Sequence, residues 1–166
     1  HSYKSPYKFL HTVVDWVNKL FKFPLVHLLQ RLKLGDQEAV KELREIAFEF
    51  SHASGGLFFG VIGALDGLCI KIKCPSMSEV LDPGNYFCRK NFHALNVQAV
   101  CDKQKRFLWV SPGHQGCSHH STAFAGTELY QLLYECEKEL RQLGMFIVGD
   151  SAYPLSPFLQ VPFPDA

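Results

Sequence analysis

The sequence predicts an α/β protein: a mixed sheet in β-β-β-α-β order, preceded by a helical segment. Three observations predict it. Apolar residues recur at helical spacing through residue 50. From Leu57 the period changes to that of strands. A short, wholly apolar run, Met145-Phe146-Ile147-Val148-Gly149, follows a long helical stretch, as a central parallel strand does. The chain therefore divides into a helical lead-in, residues 1–56, and a sheet-based domain, residues 57–166.

The elements follow in order. Leu10, Val13, Val14, Val17, Leu20 and Phe21 put a helix over 7–21. Phe23-Pro24 breaks it, and Pro24 can open a second helix, 24–33, closed by Gly35. Asp36 suits the N-cap of a third, 37–50, with Val40, Leu43, Ala47 and Phe50 on one face. Ser51 to Gly56 is a polar, Gly-rich link. Residues 59–73 read as a long strand ending in the alternation Ile70-Lys71-Ile72-Lys73, and Asp82-Pro83-Gly84-Asn85 marks a turn in the following loop. Strands at 94–101 and 106–111 flank the turn Asp102-Lys103-Gln104-Lys105 and form a hairpin. After the loop 112–120, Ser121 can cap one helix, 122–142, with Leu129, Leu132, Leu133, Cys136 and Leu140 as its buried stripe and Gly144 as its stop. Residues 145–149 complete the pattern, with Asp150 at the C-terminal end of that strand, where open α/β sheets place ligand sites.

Bulk properties bound the function. The 166 residues fit one domain, and 47% apolar residues with 14 Phe supply a core. The net charge of +1 gives no global basic character, so a nucleic-acid surface must be local. No apolar stretch reaches membrane-span length, and the N-terminus lacks a signal-peptide layout. Six cysteines with no CxxC pair read as free thiols in a reducing compartment. A start at His1 and a loop-like ending at Val161–Ala166 read as a fragment.

Two aspartates carry the chemistry. Asp66 interrupts an apolar strand and Asp150 ends another, settings where a carboxylate needs compensation. Hairpin-linked strands followed by a crossover helix and a parallel strand match the first half of a ribonuclease-H-like fold, in which the middle of strand one lies beside the end of strand four. Asp66 and Asp150 fall on those positions, and a shared divalent cation would answer their desolvation. In-line attack on a phosphodiester is served by two metals roughly 3.5–4 Å apart. A strand-borne Asp66 suits the bridging role, and Asp150 suits one-sided ligation. The alternatives are a strand Asp satisfied by turn amides at 66 and a helix N-cap at 150, before Ser151-Ala152-Tyr153-Pro154.

Four phrases add a resemblance: Gly63-Ala64-Leu65-Asp66-Gly67; Arg89-Lys90-Asn91-Phe92-His93-Ala94-Leu95-Asn96-Val97-Gln98-Ala99-Val100-Cys101-Asp102; Gly116-Cys117-Ser118-His119-His120-Ser121; and Gly149-Asp150-Ser151-Ala152-Tyr153-Pro154-Leu155. Together, in this order and spacing, they resemble the PIF/Harbinger transposase family, which includes the Harbinger-transposase-derived nucleases of animals. The resemblance spans about residues 60–163. It implies a ribonuclease-H-like DDE endonuclease domain with an Asp-Asp-Glu triad, two divalent ions (Mg²⁺ or Mn²⁺), DNA as substrate, nuclear localisation and a separate DNA-binding partner protein. Asp66 and Asp150 match its two aspartates; its glutamate would lie beyond residue 166. The chain departs from the family at Leu68-Cys69, where Thr-His is usual, and at His120, where an aspartate is usual. A histidine there replaces a hard oxygen by a nitrogen that Mg²⁺ does not favour.

Around the pair, His119, His120, Ser151 and Tyr153 are candidates to support the ligands, with Tyr153-Pro154 as a turn packed under the site. Arg89, Lys90 and His93 are either phosphate contacts or part of a solvated loop. Lys71, Lys73, Lys103, Lys105 and Arg106 read as solvated positions. His114, Cys117, His119 and His120 are zinc-compatible types without finger spacing. Phe107 and Trp109 belong to the core or a sheet face. Two functions stay open: a metal-dependent DNA endonuclease or transposase domain, and a domesticated or decayed relative that binds DNA or a protein without cutting.

Overall fold

The computed structural model describes residues 23–162. The helix predicted over 7–21 lies outside them. Helix α1 spans Pro24–Lys33, with Pro24 in the first turn after an extended Phe23. It buries Leu25, Leu28, Leu29 and Leu32, each contributing about 1.5–3 kcal/mol relative to exposure. Helix α2 spans Gln37–Ala53, a turn longer than predicted, and Asp36 caps it by accepting the Glu38 N–H at 2.9 Å. Arg31 joins the two helices by bonding Asp36 and Glu42, both at 2.7 Å.

The sheet has five strands among the described residues: β1 (Val61–Lys71), β2 (Ala94–Cys101), β3 (Phe107–Gln115), β4 (Phe146–Val148) and β5 (Leu159–Gln160), in the order β3-β2-β1-β4-β5. β1 is antiparallel to β2, and β2 to β3; β1 is parallel to β4, and β4 to β5. The mixed sheet is thus the predicted one, with differences at its margins. β1 begins at Val61 because residues 54–60 form turns, and β3 runs on to Gln115 through the predicted loop. Two-residue β5, after Pro154 and Pro157, carries too short a pattern to be seen in the sequence.

The largest difference is the helix predicted over 122–142. It is three helices: α3 (His120–Ala125), α4 (Glu128–Glu135) and α5 (Glu137–Leu143). Gly126 ends α3, and buried Thr127 makes the break. Its hydroxyl donates to Phe124 O at 2.7 Å and accepts the Tyr130 N–H at 3.2 Å. This local competition with the helix ladder is what Thr offers at a cap. Cys136 breaks the run again, with its thiol donating to Leu29 O at 3.4 Å. The stripe of Leu129, Leu132, Leu133, Cys136 and Leu140 is nevertheless wholly buried. Gly144 stops α5 in the left-handed conformation, φ 66°. His119, not Ser121, occupies the N-cap of α3.

The five α-helices of the described region share one core with the sheet. Phe124 is its aromatic hub, edge-on to Trp109, Tyr130 and Tyr153 at 6.1, 5.5 and 5.9 Å. Along β1 past Leu65, alternate residues Asp66, Leu68 and Ile70 are exposed.

Candidate active site

Register builds the site. β1 and β4 are parallel, and Ala64 pairs with Val148. Two residues further along each chain come Asp66, still within β1, and Asp150, just past the end of β4. The sequence placed both acids in desolvating surroundings. In the structure both are exposed, because the chain leaves the sheet after Val148 and β1 has no β4 partner beyond Ala64.

Each carboxylate holds one local amide. Asp66 Oδ1 accepts the N–H of Gly67 at 2.6 Å, and Asp150 Oδ1 accepts that of Ala152 at 3.0 Å. Asp150 thereby organises a turn, closed by Tyr153 N–H to Asp150 O at 3.3 Å, rather than capping a helix. In both residues Oδ2 makes no hydrogen bond with the described residues. Two exposed carboxylates with free oxygens are hard donors of the type Mg²⁺ and Mn²⁺ accept. Among the described residues no group of three His, Cys, Asp or Glu gathers into a metal-binding cluster. The pair therefore fits part of a ligand set.

A buried polar network lies behind the pair. Gln98 and Asn96 sit on β2 with no exposed surface. Gln98 pairs with Gly67, the residue after Asp66. Its Oε1 accepts the Tyr153 hydroxyl at 2.6 Å, and its Nε2 donates to Asn96 Oδ1 at 2.7 Å. His120 Nδ1 lies 3.1 Å from Gln98 Nε2 and 3.2 Å from Asn96 Oδ1. Asn96 Nδ2 donates to Ser118 O at 2.8 Å, holding the loop before α3. His120 lies directly over Gly67, where a Cβ would collide with its imidazole. Burial first, then the charges of Asp66 and Asp150, push the Tyr153 hydroxyl far above its ordinary pKa. Tyr153 therefore stays a neutral donor, and it senses both acids.

The other sequence candidates are distributed as follows. Tyr153 and His120 join the network, and Tyr153 is packed under the site. Ser151 is exposed in the turn, and His119 caps α3 without a side-chain bond. Arg89 and Lys90 are exposed and lower the pKa of the Cys69 thiol against the larger, raising effects of burial and Cys88. Cys69 is three residues past Asp66. His93 is half-buried with its ring edge-on to Phe87 at 5.2 Å. Lys71, Lys73, Lys103, Lys105 and Arg106 are exposed, and Arg106 also bonds buried Asp102 at 2.6 Å within the hairpin turn. Trp109 is core, whereas Phe107 is exposed.

Sequence reasoning missed Asn96 and Gln98. They alternate with Leu95, Val97 and Ala99, so ordinary polarity puts the amides in solvent. The structure inverts this: the amides are buried and the apolar residues half-exposed. The available signal was phase, since Ala94 and Val100, also buried, share their face.

Comparison with known proteins identifies the family. The family profile described as DDE superfamily endonuclease matches residues 65–166. "Protein ALP1-like" of Arabidopsis thaliana is 30% identical over 134 residues, covering 74% of this chain and 31% of that protein. "Putative nuclease HARBI1" of Rattus norvegicus is 27% identical over 131 residues, covering 76% of this chain and 33% of its own length. The chain thus spans about a third of the length of these relatives. No solved structure matches it. A matched profile across most of the sheet domain, with two relatives of one kind, makes this chain a member of the DDE superfamily endonucleases, within the PIF/Harbinger transposase family.

Proposed function

We propose that the protein works as a divalent-metal-dependent DNA endonuclease domain of ribonuclease-H-like fold, with Asp66 and Asp150 holding Mg²⁺ or Mn²⁺. The observation that supports this reading is the β1–β4 register, in which Ala64 pairs with Val148 two residues before each exposed aspartate. Divalent ions held by Asp66 and Asp150 would supply activation of the attacking oxygen and stabilisation of the leaving one. The chain's own residues bind and orient. Asp66 projects from the central strand of the sheet, and that rigidity suits a ligand whose misplacement costs rate steeply. Asp150 is held by its turn, and Tyr153 supports that turn from below. Arg89 and Lys90, exposed in the loop that follows β1, would supply cations to DNA phosphates. His93, packed on Phe87, serves that loop's shape instead. The face of β1 that carries Asp66 also carries Leu68 and Ile70, which are 60% and 46% exposed.

This reading puts the protein's work in the nucleus, on DNA, beside a separate DNA-binding partner. No helix of the described region is long and apolar enough to cross a membrane. The test is nicking of supercoiled plasmid by the full-length protein, with and without Mg²⁺ or Mn²⁺. Metal-dependent nicking that disappears in Asp66→Ala supports the proposal. Undiminished nicking in that variant overturns it, and DNA binding without cutting under all metal conditions identifies a decayed relative.

A further inference from the structure

We infer that Gln98 is a positioning residue that couples the strand bearing Asp66 to the turn bearing Asp150. The inference deepens the metal-site reading above and rests on it for its functional consequence, though its structural content stands alone. Gln98 lies on β2, directly across from Gly67 and fully buried. A buried primary amide costs stability unless its hydrogen bonds are made. Here both ends of the amide are bonded: Oε1 takes the Tyr153 hydroxyl, and Nε2 donates to Asn96 Oδ1 and lies 3.1 Å from His120 Nδ1. Tyr153 is itself 4% exposed, wedged beside Phe124 and close against Gly149. Its backbone N–H closes the Asp150 turn. The hydroxyl–amide bond, at 2.6 Å and buried, is thus the link by which β2 holds the turn against β1.

His120 Nδ1 lies within reach of both Gln98 Nε2 and Asn96 Oδ1, accepting from the first in one tautomer and donating to the second in the other. A carboxylate at position 98 would set an acceptor against Asn96 Oδ1 in place of a donor, and that repulsion would draw the side chain away from the Tyr153 hydroxyl. Gln98→Glu is nearly isosteric, so it perturbs polarity without removing volume. Tyr153→Phe removes only the hydroxyl.

The experiment reads the carboxylates' own amides in the absence of metal. Hydrogen exchange by NMR of the full chain follows Ala152, which donates to Asp150, and Gly67, which donates to Asp66. The inference expects Tyr153→Phe and Gln98→Glu each to speed Ala152 exchange tenfold or more, and the double variant to add little to either single one. Gly67, in the strand, should change less. Mn²⁺ titration of the same proteins then gives the functional readout, a tenfold or greater loss of affinity in both variants. Ala152 exchange unchanged in both, or additive effects in the double variant, overturns the inference. Failure of the parent protein to bind Mn²⁺ overturns the metal-site reading instead, while the exchange data still decide the coupling. Lower thermal stability with Ala152 exchange and Mn²⁺ affinity both intact shows a packing role only and also overturns it.

Discussion

Gly67→Ala sets two effects of known sign against each other. In open space a strand glycine replaced by alanine gains about 0.4–1 kcal/mol, because the unfolded chain loses freedom. Gly67 has an ordinary strand backbone, since it is absent from the residues with positive φ. The space, however, is occupied. A Cβ would overlap His120 Nδ1 and approach Gln98 Nε2 to 2.7 Å. Neither is the loose end of a flexible chain: both belong to the buried amide network. Overpacking of this kind costs about 1–3 kcal/mol, so the collision wins. The midpoints of these two ranges, about 2 and about 0.7 kcal/mol, leave Gly67→Ala destabilised by about 1.3 kcal/mol in urea unfolding. Shortening the obstacle should relieve part of that, so Gly67→Ala combined with His120→Ala should show a coupling of about 1 kcal/mol. Stability equal to or above wild type in the single variant, or simple additivity in the pair, would refute the packing of His120 over Gly67.

Two further predictions read the rest of the molecule. Burial pushes the Cys136 thiol up to about 11, and the residue has no exposed surface. Iodoacetamide at pH 8 should therefore label exposed Cys74 and Cys117 while sparing Cys136, as peptide mass mapping would show; rapid labelling of Cys136 in the folded protein would contradict the docking of α1 on α4. The Asp36 carboxyl is held below its ordinary value by Arg31 first and by the Glu38 N–H next. A lowered folded pKa gives stability that is present above the unfolded value and lost as pH falls through the folded one. The stability gap between wild type and Asp36→Asn should thus be present at neutral pH and close below about pH 4. A gap independent of pH would show that charge has no part in that cap.

The sequence was most legible where one physical demand acted alone. The apolar run before Asp150 and the alternation after Asp66 each announced a strand, and chain order did the rest. It was less legible where local and tertiary demands competed. The 122–142 stripe kept its burial, but Thr127 and Cys136 made bonds to the backbone that cut the helix into three. Asp66 and Asp150 looked desolvated because sequence shows apolar neighbours, not the strand end that opens them to solvent. Gln98 was hidden for the converse reason. A buried amide with all its partners supplied by residues distant in sequence looks the same, in one dimension, as a solvated one.

The central claim is that Asp66 and Asp150 share a divalent cation. Mn²⁺ calorimetry on the full-length protein, Asp66→Ala and Asp150→Ala tests it most directly. The account predicts measurable Mn²⁺ binding in the parent protein and at least a tenfold loss of affinity, about 1.4 kcal/mol or more, in each variant. Equal Mn²⁺ affinity in all three proteins would contradict it.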